Sequence, residues 1–140
     1  MNSTEIFSAT TAAKELDNIS PNTIESYVDA LVKSNLIYMA YPIAVGSKSV
    51  LKGRPKIYIA DAAIRNAVLM VDDVLSDERE LGLLIETTVY KHLVSFYQET
   101  GAQLGYYQNA NENQVEVDAV IALPQQKILC EVKYKNNWHI

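Results

Sequence analysis

The stretch VEVDAVIALPQQKILCEVKY, residues 115–134, alternates apolar and polar side chains on both sides of a short proline-bearing break. A period of two over that length fits a β-strand pair and not a helix. It also constrains register, because slipping one residue moves every side chain to the other face. On the first strand Glu116, Asp118, Val120 and Ala122 share a face, opposite Val115, Val117, Ala119 and Ile121. On the second, Lys127, Leu129, Glu131 and Lys133 share a face, opposite Ile128, Cys130, Val132 and Tyr134. A turn at Pro124-Gln125 sets Asp118 against Glu131, and a turn at Gln125-Gln126 sets it against Lys133. Either even loop gathers the three groups on one face, whereas an odd loop separates them.

Two carboxylates and an ammonium on one sheet face are equipment for phosphodiester hydrolysis. Mg²⁺ takes oxygen ligands and keeps several waters, so two carboxylates can hold one ion. The ion lowers the pKa of a bound water and polarises the phosphate, and a lysine offsets charge developing on the phosphorus oxygens. Asp118, Glu131 and Lys133 are therefore the expected catalytic residues. Glu86 lies on a helical stripe with Val89 and Leu93, where a carboxylate needs a partner. A nearby metal or Lys133 would supply that partner, and Asp118 and Glu131 are the expected metal carboxylates. The plain alternative is a Glu-x-Lys pair on a solvated sheet face.

The N-terminal half reads as helix, turn, helix and β-ribbon. Residues 4–16 are rich in Ala and Thr, and Ser20-Pro21 is a cap followed by a first helical residue. Ile24, Tyr27, Val28, Leu31 and Val32 then recur at helical spacing. Strands are expected at 37–45 and 55–60, around a basic loop. That order is the winged-helix pattern, with Thr23 near the start of the recognition helix and Lys48, Lys52, Arg54 and Lys56 as the wing's phosphate contacts. Glu25 and Asp29 on the same helix oppose duplex binding. Asp61 caps a short helix, the acidic run DDVLSDERE is the expected connector, and a helix runs from Leu81 to Gly101. The expected domains are 1–72 and 78–140.

The net charge of −5 is unevenly spread: residues 1–60 carry +1, residues 61–100 carry −5 and residues 101–140 carry −1. A basic arm on an acidic chain keeps a DNA partner in view. No apolar run approaches the roughly 18 residues that cross a membrane. The single cysteine, Cys130, excludes an internal disulfide and fits a cytoplasmic location. His92 and His139 have no zinc-ligand spacing.

The segments GRPKIYIADAAIRNAVL, LGLLIETTVYKHL, GAQLGYYQN, EVDAVIAL and ILCEVKY, in that order, resemble the C-terminal part of a prokaryotic AAA+-type ATP-binding protein family. There an ATPase module precedes a winged helix and a restriction-endonuclease-like domain. The resemblance implies an α+β chain with an N-terminal winged helix-turn-helix and a partial restriction-endonuclease-like α/β unit. Asp118, Glu131 and Lys133 resemble the PD-(D/E)xK signature, with Mg²⁺ as cofactor and Glu86 as accessory ligand. No GxxxxGK[ST] occurs, so no nucleotide site and no ATPase activity are expected of this chain. The closing YKNNWHI leaves the sheet short, which predicts a fragment with an open edge and a homodimer across it. Three functions follow as expectations: a DNA-associated module with a nuclease-type Mg²⁺ site, a catalytically silent interaction or oligomerisation module, and a winged-helix regulator.

Overall fold

Serine caps set the first two helices. α1 (Ala9–Glu15) begins at Ser8, whose Oγ accepts the Thr11 N–H, and α2 (Pro21–Lys33) begins at Ser20, whose Oγ accepts the Thr23 N–H. Pro21 sits where its missing N–H has no intrahelical partner to lose. Asn35 then turns through left-handed backbone, φ 55°, and releases the chain into β1 (Ile37–Pro42). This computed structural model describes residues 6–17, 19–46, 53–71, 73, 76–109 and 115–134. The expected wing residues Lys48 and Lys52 lie outside them.

β2 (Lys56–Ile59) pairs antiparallel with β1, matching Ile37 to Ile59, Tyr38 to Tyr58, Met39 to Ile57 and Ala40 to Lys56. Both strands are shorter than their alternation predicts. The pairing gives the ribbon two different faces. Ile57 packs with Phe7, Ala12, Ala13 and Ile24 under α1 and α2. Ala40 and Tyr58 face the other way and join Tyr90, Tyr106 and Ala119 in the main core.

Asp61 caps α3 (Ala62–Leu69) through the Ala63 N–H at 2.9 Å. α4 (Glu78–Tyr97) starts three residues before the apolar run at Leu81. Asp77 explains the earlier start, since its Oδ1 accepts the N–H groups of Arg79 and Glu80. Glu78 and Glu80 in the first turn then complement the helix dipole. The acidic run expected as a connector is thus partly a helix N-terminus. Arg65 of α3 grips Glu80 of α4 with two bonds, at 2.6 and 3.2 Å.

β3 (Gln103–Gln108), β4 (Glu116–Ala122) and β5 (Lys127–Cys130) follow as an antiparallel meander, irregular between Gly105 and Tyr107. The five strands form one mixed sheet in the order β2-β1-β3-β4-β5. Its parallel step is the seam between β1 and β3, where Tyr41 pairs with Gly105 and Pro42 with Tyr106. The Ile43 N–H extends the seam to the Tyr106 carbonyl at 2.7 Å. The expected boundary at 72–78 falls between α3 and α4, and the sheet continues across it. With four helices beside the sheet among the described residues, the fold is α+β. No helix among the described residues is long and apolar enough to cross a membrane.

Gly105 makes the seam possible. A Cβ there would overlap the Tyr41 carbonyl oxygen and lie 2.9 Å from Ile43 Cδ1. Gly105→Ala should lower unfolding stability by about 2 kcal/mol or more, because backbone yields less than a side chain. Gly82, inside α4, has nothing within 4 Å of such a Cβ. Gly82→Ala should raise stability by about 0.5–1 kcal/mol through helix propensity. Urea unfolding of both variants checks the opposite signs.

Candidate functional site

The closing hairpin takes one of its two even registers. Ala119 pairs with Cys130, Val120 with Leu129, Ile121 with Ile128 and Ala122 with Lys127. Leu123 donates its N–H to the Gln126 carbonyl at 2.9 Å, so the loop is Pro124-Gln125. Continued by one residue, this register would set Asp118 against Glu131. The ladder stops at Cys130 instead. Asp118 Oδ2 accepts the Val132 N–H at 2.7 Å, a side-chain bond that replaces the next backbone rung. Beyond that point Glu131 and Lys133 pair with each other at 3.0 Å, with side chains 59% and 65% exposed.

A different lysine meets the carboxylates. Lys56 is 5% exposed, because its position opposite Ala40 turns it toward α4 with Tyr58. Its Nζ bonds Glu116 of β4, lies 3.9 Å from Glu86 of α4 and stands 5.2 Å from the Tyr106 ring centroid. The structure therefore places Lys56 inside the fold, away from the wing surface where the sequence reading put it. Tyr58 donates its hydroxyl proton to Glu86 Oε1 at 2.8 Å and stacks on Tyr90, with centroids 4.0 Å apart and planes 8° from parallel. Glu86 thus does sit on a core stripe, and its partners are Tyr58 and Lys56.

The remaining sequence-derived residues are scattered. Thr23 serves the α2 cap, its hydroxyl 2.8 Å from Ser20 Oγ. Arg54 is exposed and lines a groove with Glu25 and Asp29, so two acids share the basic residue's surface. Asp29 is itself bound to Lys33 at 2.6 Å. Glu116 and Tyr58 were not singled out from the sequence. A usable signal existed in KIYI, where alternation puts Lys56 on Tyr58's face rather than on the side of Ile57 and Ile59.

Electrostatics follow from this packing. Burial raises the Glu86 carboxyl above its ordinary value of 4.5. The Tyr58 hydrogen bond and the Lys56 charge pull it back, and the charges of Asp118 and Glu116 push it up again. Burial, with the Glu86 charge next, raises the Tyr58 hydroxyl far above the usual tyrosine range, so it stays a proton donor to Glu86. Burial raises Tyr90 in the same direction.

Two family models match the chain in tandem. The model described as Domain of unknown function (DUF8612) covers residues 1–75, and the one described as Domain of unknown function (DUF4143) covers residues 81–139. The chain belongs to the DUF8612 family. No curated protein and no solved structure matches it. The DUF8612 segment brings Lys56 and Tyr58 to the cluster, and the DUF4143 segment brings Glu86, Glu116 and Asp118.

The described side chains do not fit the Mg²⁺ ion that the PD-(D/E)xK resemblance implies. Asp118 is bonded to the Val132 N–H, Glu86 to Tyr58, and Glu131 faces Lys133. Among the described residues no group of three His, Cys, Asp or Glu side chains is placed to hold a metal ion.

The raised Glu86 pKa fixes the sign of a pH effect. A group whose folded pKa lies above its unfolded value favours the folded state most at low pH, and that contribution is lost as pH rises through the folded value. Glu86→Gln keeps an acceptor for Tyr58 and removes the titration. The Tm of Glu86→Gln relative to the parent should therefore climb as pH rises from 4.5 toward neutrality. A flat difference across that range would show that burial does not dominate at Glu86.

Proposed function

We propose that this chain is a catalytically silent interaction module from the non-ATPase part of an AAA+-type ATP-binding protein. The observation that carries the reading is an apolar groove of about 480 Å³ between α1, α2, the β-ribbon and α3. Leu16, Tyr27, Val68 and Leu69 line it and are 53%, 57%, 74% and 55% exposed. Contiguous apolar surface of this kind marks an interaction site more often than idle solvent contact. The tandem of DUF8612 and DUF4143 segments agrees with the resemblance to those ATP-binding proteins. In this reading the N-terminal helices and ribbon are a winged helix used as an adaptor, with Glu25 and Asp29 beside Arg54 disfavouring a phosphate backbone. The DUF4143 segment is a restriction-endonuclease-like unit whose motif residues have taken structural duties.

The module also self-associates along β5. Ile128 and Leu129 of that edge strand are 37% and 49% exposed, and an edge strand offers unpaired backbone groups to a second copy. The groove is left for the rest of the ATP-binding assembly.

A rival reading, a Mg²⁺-dependent nuclease, draws on a register that would set Asp118 against Glu131 if it continued one residue past Cys130. Plasmid and single-stranded DNA incubated with Mg²⁺ or Mn²⁺ separate the two. The silent reading expects no cleavage by the wild-type protein. Cutting that disappears in Asp118→Ala would overturn it. Asp118→Ala should instead cost about 1.5–3 kcal/mol of stability by leaving the Val132 N–H without its charged acceptor. Light scattering after size-exclusion chromatography addresses assembly: the wild type should be a dimer, Leu129→Lys a monomer and Val68→Lys still a dimer. A monomeric Val68→Lys beside a dimeric Leu129→Lys would move the contact from the edge to the groove.

A further inference from the structure

Lys56 is the buried lysine among the described residues, and four elements meet at its ammonium. β2 delivers it, β4 supplies Glu116, α4 supplies Glu86, and β3 supplies the Tyr106 ring beneath. Asp118 adds a third negative charge that reaches Glu86 and Tyr58. The carboxylates belong to one family segment and the cation to the other. A cation shared between acids from a helix and a strand is the arrangement a divalent ion makes in a carboxylate cluster, and here a side chain makes it.

We propose that Lys56 is the resident cation of this cluster. Its Nζ fills from the DUF8612 segment the position that a divalent ion takes between such carboxylates, so the acids stay together without metal. The cluster is held shut by the ribbon that carries Lys56, and a metal competes for the position only when the lysine is gone. This goes beyond the interaction reading, which concerns the groove and the β5 edge and not what holds these carboxylates together.

The test compares Tm by circular dichroism for the full chain, in chelator and in millimolar Mn²⁺, across three proteins. Wild-type Tm should be the same in both buffers. Lys56→Met leaves the half-buried Glu86 and the more exposed Glu116 without their shared cation and should lose about 5 °C in chelator, part of which returns with Mn²⁺ and not with matched KCl. The triple variant Lys56→Met/Glu86→Gln/Glu116→Gln should regain stability in chelator and ignore Mn²⁺. The proposal is overturned if Mn²⁺ stabilises the wild type, if Lys56→Met matches the wild type in chelator, or if Lys56→Met gains nothing from Mn²⁺. Should Lys56→Met fail to fold, Glu116→Gln decides by its urea midpoint: a drop supports the resident cation, and an unchanged midpoint overturns it.

Discussion

A lysine carried inside a sheet protein must find negative charge there, because an unpaired buried ammonium costs several kcal/mol. Lys56 meets that demand with acids from outside its own family segment. Its requirement shapes what surrounds it. Tyr58, next but one on the same strand face, donates a hydrogen bond to Glu86, which also lies near Lys56. Tyr90 stacks on Tyr58 and fixes the ring, and Tyr106 forms the floor below Lys56 while its own hydroxyl reaches back to the Arg54 carbonyl at 2.8 Å. The polar cluster and the aromatic core are one packing problem, solved together.

That solution requires the ribbon and the meander to lie side by side. The parallel seam at Tyr41 and Gly105 brings them together, and ties outside the sheet keep them there. Arg65 with Glu80 joins α3 to α4, and Lys127 reaches the Ala44 carbonyl at 2.7 Å. The two family segments therefore share a sheet, a core and a charge cluster, although their models match separate stretches of chain.

Local chemistry was readable from residue order. Ser20-Pro21 and Asp61 announce helix starts because their side chains satisfy backbone groups within three residues. The parity of the closing hairpin narrowed its register to two choices, of which the Pro124-Gln125 turn is realised. The start of α4 was less legible, since Asp77 acts as a cap while its acidic neighbours look like linker. The seam was hidden, because parallel pairing of strands some sixty residues apart leaves no local pattern. Gly105 within a strand was its one trace, as glycine there often marks close backbone approach. The site diverged for a similar reason. Alternation aligns Asp118, Glu131 and Lys133 only while the ladder continues, and the Asp118 bond to Val132 ends it. Lys56 looked like a wing residue among Lys48, Lys52 and Arg54, and only the identity of its strand face distinguishes it.

The DUF8612 and DUF4143 segments, joined at the Tyr41–Gly105 seam, should unfold as one cooperative unit. Native-state hydrogen exchange followed by mass spectrometry measures this directly. Peptides covering β1 and β2 and peptides covering β3 and β4 should show the same opening free energy and the same denaturant dependence. A ribbon that exchanges through its own, lower-energy opening while β3 and β4 stay protected would show two separately unfolding segments.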